Sequence, residues 1–98
     1  MKGNRLLYSE CLRIYKVEES FIESLHEVGL IEVIYHAEER FIEFDERSEL
    51  EQLIRWYYDM DINVEGIDAL RHLIEKVKSL QSENDQLKTE LQFYKSLL

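Results

Sequence analysis

Proline is absent from this chain of 98 residues, glycine occurs three times and cysteine once. The absence of proline permits long helices and leaves helix breaks to Gly29, Gly66 and polar turns. Cys11 cannot form an intramolecular disulfide, so we expect a reduced, cytoplasmic setting. The N-terminal stretch MKGNRLLYSE lacks the apolar run of a signal peptide, and no hydrophobic run reaches the length of a membrane span.

Basic side chains are scarce in the first two-thirds of the chain. The formal net charge is −9, from 12 Lys and Arg against 21 Asp and Glu. Residues 1–63 hold 7 basic and 15 acidic side chains, whereas residues 64–98 hold 5 and 6. Because Lys and Arg on phosphates supply much of the affinity for duplex DNA, this excess predicts repulsion from DNA. It favours a basic protein surface as the partner.

The remaining composition is that of a folded, helix-rich chain. Hydrophobic residues make up 45% and charged residues 34%, with six Tyr, four Phe and one Trp available to bury. We expect one small domain with an appended helix. A core of this size is marginal alone, so oligomerisation would add stability.

The N-terminal part predicts a helix-turn-helix. The first helix spans 8–15 with Ser9 as its N-cap, and the second spans 17–28. Gly29 follows as a left-handed cap, and the turn at Lys16 and Val17, where the second helix begins, is short enough for a tight helix-turn-helix. The apolar face of the second helix consists of Val17, Phe21, Ile22, Leu25 and Val28.

A β-hairpin, or wing, is predicted next, because the apolar residues then recur at every second position. Residues 31–35 form its first strand and 41–44 its second, joined by the polar segment 36–40. Asp45 is the expected N-cap of a third helix, and Asn63 that of the last. The core face of the third helix comprises Leu50, Leu53, Ile54 and Tyr57, and Trp56 flanks it.

The last helix, over 64–98, carries a heptad repeat. Its apolar positions step alternately by three and four residues: Leu70, Leu73, Val77, Leu80, Asn84, Leu87, Leu91, Tyr94 and Leu98. This pattern predicts a dimeric coiled coil, with the single Asn84 at an a position. The alternative is one amphipathic helix lying on its own domain. We therefore divide the chain into a winged helix-turn-helix head, 1–62, and a dimerisation helix, 63–98.

Charges beside the heptad positions bear on the direction of the two helices. In a parallel pair, Glu83 would face Lys88 of the other copy, and Glu90 would face Lys95. An antiparallel pair would place like charges together. Each such pair contributes little, so the charges express a preference for the parallel arrangement.

Catalytic and metal-binding chemistry has little support in the sequence. His26, His36 and His72 lie in three different predicted elements without the spacing of a metal pair, and Cys11 reads as a small core residue. No Gly-rich phosphate loop accompanies the carboxylates. We expect no enzyme activity, no cofactor and no metal.

The second helix carries acids where a DNA reader would contact bases. Glu19, Glu23 and Glu27 form a stripe at intervals of four residues, Glu18 lies beside it, and the helix has no Lys or Arg. With Glu38 and Glu39 of the wing they predict a docking surface for a basic partner, although a merely solvated face would look the same. Tyr35 or Trp56 would supply an aromatic anchor.

The order of these elements resembles the MerR superfamily over nearly the whole chain. LHEVGLIEV looks like the end of its recognition helix running into the wing, and YYDMDINVEGIDAL looks like its junction into the terminal helix. The basic and Tyr-rich DNA-contacting positions of MerR regulators are missing, as are the C-terminal cysteines of metal-responsive members. The resemblance implies antiparallel terminal helices, against the preference of the flanking charges.

The short length, acidity, INVEGI junction and terminal segment HLIEKVKSLQSENDQLKTELQFY are closer to the chaperone-modulator group, the CbpM proteins. This resemblance implies a non-enzymatic inhibitor that binds the J-domain of a DnaJ-like co-chaperone of CbpA type. Such a protein would compete with the DnaK-type chaperone for a basic helix face of the J-domain. The alternative is a MerR-type transcription regulator that places two heads on DNA.

Overall fold

A computed structural model describes residues 4–98. The elements in chain order are β1 (Asn4–Leu7), α1 (Tyr8–Tyr15), α2 (Glu19–Glu27), β2 (Glu32–His36), β3 (Glu39–Phe44), α3 (Arg47–Tyr58) and α4 (Val64–Ser96). The predicted fold class is confirmed: a mainly helical chain with a winged helix-turn-helix head and a long C-terminal helix.

The helix-turn-helix is formed by α1 and α2. Lys16 adopts a left-handed backbone, with φ 55°, and ends α1 as predicted. The second helix is shorter than the predicted span 17–28 because Glu18 is extended, with ψ 148°, and therefore caps the helix. At the other end Gly29 has φ 82°, which confirms its left-handed conformation.

Two of the predicted N-caps are wrong. Helix α1 begins one residue before Ser9, because β1 runs directly into it and the extended Leu7 takes the cap position. Helix α3 begins after Glu46 and not after Asp45, again without a side-chain cap. The third prediction is confirmed, since Oδ1 of Asn63 accepts a hydrogen bond of 2.7 Å from the Gly66 amide.

The predicted hairpin is confirmed, since β2 pairs with β3, but it belongs to a sheet of three antiparallel strands in the order β1-β3-β2, whose strand β1 was not predicted. Strand β1 pairs along β3, with Asn4 opposite Phe44 and Leu7 opposite Phe41. Its four residues are too few to show a two-residue period. The hairpin turn is also tighter than the predicted segment 36–40: only Ala37 and Glu38 form it, with φ 52° and 65°.

The head has one hydrophobic core, whose buried residues come from every element of the head except β2, which adds the partly buried Val33 at the edge. The α3 residues Leu50 and Leu53 are buried as predicted, while Ile54 and Tyr57 pack at its edge. The first turn of α4 also belongs to it. The buried residues are Leu6, Tyr8, Cys11, Val17, Phe21, Ile22, Leu25, Leu30, Ile31, Ile42, Phe44, Leu50, Leu53, Val64 and Ile67.

The junction into α4 depends on Gly66. A Cβ at this position would meet Oδ1 of Asn63 and Cγ2 of Ile62, each at 2.9 Å. Such distances are shorter than van der Waals contact, so a side chain here would displace the cap of α4. The glycine of the INVEGI segment therefore allows Asn63 to bond the first turn of the helix.

The contacts of the chain divide it into two compact units, up to Asp68 and Ala69–Leu98. The second unit is a single stretch of helix up to Ser96. Most of its residues are exposed, including the apolar ones.

Candidate functional site

The α2 acidic face consists of Glu18, Glu19, Glu23 and Glu27, and it results from the way in which α2 packs. The helix buries Phe21, Ile22 and Leu25. The 3.6-residue period then directs the remaining positions outward. The side chains of Glu19 and Glu23 are 57% and 44% exposed. The helix itself contains no Lys or Arg.

Arg40 of β3 reaches two of these acids. Its Nη1 donates a hydrogen bond of 3.4 Å to Oε1 of Glu19 and lies 3.7 Å from Oε1 of Glu23. Its guanidinium carbon lies 3.9 Å from the centroid of the Tyr8 ring, within the range of a cation–π contact. The one basic residue of the wing is therefore turned toward α2.

Tyr8 contacts both Arg40 and Glu23 of this cluster. Its ring is 2% exposed, and its hydroxyl donates a hydrogen bond of 2.7 Å to Oε1 of Glu23. Burial, followed by that hydrogen bond and the charges of Glu23 and Glu19, raises the pKa of the Tyr8 hydroxyl above its ordinary value, while Arg40 acts in the opposite direction. The hydroxyl therefore stays protonated at physiological pH and keeps one carboxylate oxygen of Glu23 in place.

The other predicted acids stand apart from this cluster. Glu27, Glu38 and Glu39 are all exposed, and Glu38 lies in the hairpin turn. Within residues 4–98, no ion pair joins any of the three to Arg40. The structure thus brings Glu19 and Glu23 together through a shared cation and leaves the wing acids in solvent.

A small cavity borders the cluster. It has a volume of about 190 Å³ and is lined by Leu7, Tyr8, Ser9, Leu12, Glu39 and Arg40. Arg40 forms part of its wall, so the guanidinium group has carboxylates on one side and open space on another.

The aromatic residues differ in their suitability as anchors. Tyr35 is 75% exposed, whereas Trp56 is half-buried and packs against the core. Tyr58 was not among the predicted anchors, yet its hydroxyl accepts a hydrogen bond of 3.0 Å from the Glu18 amide. It is therefore directly continuous with the α2 acidic face. Only the tertiary packing of α3 beside α2 reveals this, because the two residues lie 40 positions apart.

A second cavity lies at the same end of the head. Its volume is about 290 Å³, and Tyr57, Tyr58, Asp61, Ile62 and Asn63 line it. The ring centroid of Phe21 lies 4.4 Å from that of Tyr57, in a tilted arrangement, and 5.2 Å from that of Tyr58, edge to face, so the aromatic wall of this cavity contacts α2.

The residues with potential for catalysis or metal binding remain scattered. Nδ1 of His26 lies 3.4 Å from the carbonyl oxygen of Ile31, whereas His36 lies at the end of β2 and His72 in α4. Cys11 is fully buried, and burial raises the pKa of its thiol to about 11. In the part of the chain that the structure describes, no group of three or more His, Cys, Asp or Glu could hold a metal ion. No helix over residues 4–98 is long and apolar enough to cross a membrane.

The heptad residues of α4 from Leu73 onward present an apolar stripe to solvent, whereas Leu70 is half-buried. Val77 is 46% exposed and Tyr94 64%. The i, i+4 pair of Arg71 and Glu75, at 3.8 Å, lies outside the heptad positions. A helix of 33 residues has an axial length of about 50 Å, so this stripe is long enough for several turns of pairing.

Comparison with known proteins identifies the family. Residues 6–89 match a profile described as MerR HTH family regulatory protein. Neither a curated protein nor a solved structure matches the chain. The match runs from β1 through most of α4, and it confirms the resemblance at the level of the superfamily.

Proposed function

Because the chain belongs to the MerR family of helix-turn-helix regulatory proteins, we propose that it is a member of CbpM type, whose recognition helix binds protein in place of DNA. The partner in this proposal is the basic J-domain of a DnaJ-like co-chaperone of CbpA type. Binding would cover the helix face that the J-domain offers to its DnaK-type chaperone. The protein would thus act as a non-enzymatic inhibitor.

The observation that carries the proposal is the α2 acidic face. In a helix-turn-helix that reads DNA, this helix enters the major groove, where phosphates surround it on both sides. Here four carboxylates occupy the accessible side of α2, and Arg40, the nearest base of the wing, is directed at Glu19 and Glu23. Such a surface repels phosphate and attracts a basic helix.

The proposed mechanism is electrostatic steering followed by aromatic contact. Complementary charge raises the association rate and fixes the orientation of a complex more than it adds to affinity. Buried aromatic side chains supply most of the binding free energy in protein interfaces. Tyr58 is suited to this role, because it adjoins Glu18 and is partly exposed. Tyr35, which is exposed on the wing, is a second candidate for the aromatic contact.

We further propose that the chain is a homodimer through α4. The heptad residues from Leu73 onward lie in the exposed stripe, and pairing with a second copy would remove them from water. A dimer would present two α2 acidic faces. Two linked faces would raise the apparent affinity for a partner that is itself dimeric.

The test is a charge reversal on α2. The triple variant Glu19→Lys, Glu23→Lys and Glu27→Lys should bind a purified DnaJ-like J-domain at least about tenfold more weakly than wild type at physiological salt. Isothermal titration calorimetry measures this. The matched control reverses three exposed acids of the head outside α2 and the wing, Glu10, Glu46 and Asp59. It carries the same net charge, and we expect it to bind within about threefold of wild type.

Equal binding by wild type and the α2 triple variant would refute the assignment of this surface. Equal weakening by the two triple variants would show that net charge matters and location does not. Loss of inhibition by the α2 triple variant, in an assay of J-domain-stimulated ATP hydrolysis by the DnaK-type chaperone, would link binding to competition.

The second candidate function is transcription regulation, and the family match itself favours it, because members are described as regulatory. It predicts that duplex DNA shifts in a salt-dependent manner at low micromolar protein. With the charge distribution described above, we expect no such shift. A shift that disappears in the Arg40→Gln variant would support DNA binding through the wing.

A further inference from the structure

We infer that Arg40 is an internal competitor for the α2 acidic face: its guanidinium occupies the position that a Lys or Arg of the partner takes in the complex. This inference rests on the proposed function, because it concerns the regulation of the same surface. It assigns to the wing a role that neither a DNA reader nor a simple scaffold would need.

The geometry of Arg40 is that of a bound cation. Two carboxylates, from Glu19 and Glu23, lie 3.4 and 3.7 Å from Nη1, and the ring of Tyr8 lies under the guanidinium plane at 3.9 Å. Carboxylates combined with an aromatic face are the groups that recognise basic side chains in protein complexes. The Tyr8 hydroxyl donates a hydrogen bond of 2.7 Å to Glu23, a contact that does not involve Arg40.

Arg40 is held loosely enough to be exchanged. Strong charge-assisted hydrogen bonds from nitrogen to a carboxylate are about 2.7–2.9 Å long, and both distances here are well above that range. The side chain is 36% exposed, and Glu19 is more exposed still. Exposed ion pairs are weak because water screens them. A partner that offers several bases at once can therefore displace a single arginine.

A cavity beside Arg40 can accept its side chain once a partner displaces it. Arg40 lines the cavity of about 190 Å³, together with Glu39, so the guanidinium can turn away from α2 without entering the core. Strand β3 does not have to move, because its ladder to β1 and β2 is formed by the backbone.

The direction in which Arg40→Gln changes the affinity for the partner depends on the role of Arg40. If Arg40 competes with the partner, Arg40→Gln frees Glu19 and Glu23 and tightens binding. If Arg40 only supports the wing, the same change weakens binding or leaves it unaltered. If the protein reads DNA through the wing, the change weakens DNA binding.

The experiment compares Arg40→Gln with Arg5→Gln. Arg5 is a second sheet arginine in an ion pair, 3.1 Å from the largely covered Glu43, and is itself 50% exposed, so both variants lose one positive charge from an ion pair. We expect Arg40→Gln to bind the J-domain about three- to tenfold more tightly than wild type, and Arg5→Gln to differ by less than about twofold. Adding Glu19→Gln and Glu23→Gln to Arg40→Gln should remove the gain. Urea denaturation of each variant checks that the head stays folded.

A basic peptide of ten lysines serves as a second probe, which separates this inference from the proposed function. Tighter binding of the peptide by Arg40→Gln, with no binding of any J-domain, would uphold the competition and refute the J-domain as partner. A folded Arg40→Gln variant that binds both probes no more tightly than wild type would overturn the inference. The same result for Arg5→Gln and Arg40→Gln would also overturn it, since the effect would then be one of net charge alone.

Discussion

The two compact units of the chain differ in the solvent exposure of their apolar side chains. Up to Asp68, Phe21, Ile22 and Leu25 are at most 2% exposed and belong to a single hydrophobic core. In Ala69–Leu98, Leu80 and Leu87 are both more than half exposed. Each leucine left in water forgoes about 1.5–3 kcal/mol of burial. The head carries its own core, whereas the stripe of α4 can gain burial only from another surface.

Charge divides the molecule along similar lines. The acids exceed the bases about twofold in residues 1–63 and are nearly balanced after that. A nearly neutral helix with an apolar stripe suits self-association, because no large repulsion opposes it. A strongly acidic head suits a basic partner. This difference supports our proposal that one unit serves assembly and the other recognition, and four experiments can test it.

The largest effect is expected from charges placed in the heptad stripe. Leu80→Glu with Leu87→Glu should weaken dimerisation by roughly a hundredfold or more, because each chain would bring two carboxylates into an apolar seam. Analytical ultracentrifugation over a range of concentrations measures this. The control, Ser79→Glu with Gln86→Glu, adds the same charges at c positions of the heptad. These lie outside the apolar stripe, so the dimer should stay intact. A wild-type chain that stays monomeric at all concentrations would contradict the role of α4.

The next effect concerns the core of the head. Leu25→Ala should lower the free energy of unfolding by about 2–5 kcal/mol, because the side chain is fully buried and its removal leaves a cavity. Urea denaturation followed by Trp56 fluorescence measures the change. Glu27→Ala, on the exposed side of the same helix, should change it by less than about 0.5 kcal/mol. Similar losses for the two variants would mean that α2 is not packed as described.

The sequence predicted those parts of the fold that depend on local patterns. The apolar spacing of α2 and α3 and the heptads of α4 are repeated within each element, so their periods appear without knowledge of the tertiary structure. Gly29 and Asn63 acted at helix ends as their residue types predict. The predicted caps at Ser9 and Asp45 failed because neighbouring strands determine where α1 and α3 begin.

The features that could not be predicted depend on pairing between distant residues. Strand β1 is recognisable only through its ladder to β3, some 34 to 40 positions later in the chain. Arg40 was visible as the only base of the wing, but its contact with Glu19 spans 21 positions and requires the two-residue turn at Ala37 and Glu38. A longer turn, as the sequence predicted, would have set another register for β3.

A third prediction uses Cys11 as a reporter of the closed core. Its thiol has a pKa of about 11 in the folded head and about 9 ordinarily, so folding favours the protonated form. The resulting stability is present below pH 9 and is lost as the pH rises toward 11. Wild type should therefore lose up to about 2 kcal/mol relative to Cys11→Ala over this interval. Paired urea titrations at several pH values measure the difference.

The same titration tests the independence of the head from α4. In the background of Leu80→Glu with Leu87→Glu, the difference between the thiol and alanine variants should keep the same pH dependence. A dependence that disappears in this background would show that the core around Cys11 needs the dimer, and the comparison between a self-contained head and a dependent helix would then fail.

The smallest effect is expected at the tip of the wing, where the head contains backbone strain of its own. Ala37 and Glu38 both have positive φ, a conformation that costs a residue with a Cβ about 1 kcal/mol. Asparagine followed by glycine is the preferred pair for such a two-residue hairpin turn. Ala37→Asn with Glu38→Gly should therefore raise the free energy of unfolding by about 0.5–1 kcal/mol. Urea denaturation again provides the measurement.

Two controls isolate the conformational cause of that gain. Glu38→Gln removes the charge but keeps the Cβ, and should change stability by less than about 0.5 kcal/mol. Glu39→Gly places glycine one residue later, inside β3, where it should destabilise the strand. Dimerisation should be unaltered in all three variants, because the turn lies in the head. A stabilised turn that also tightened the dimer would mean that the wing takes part in assembly, which the division between recognition and assembly does not allow.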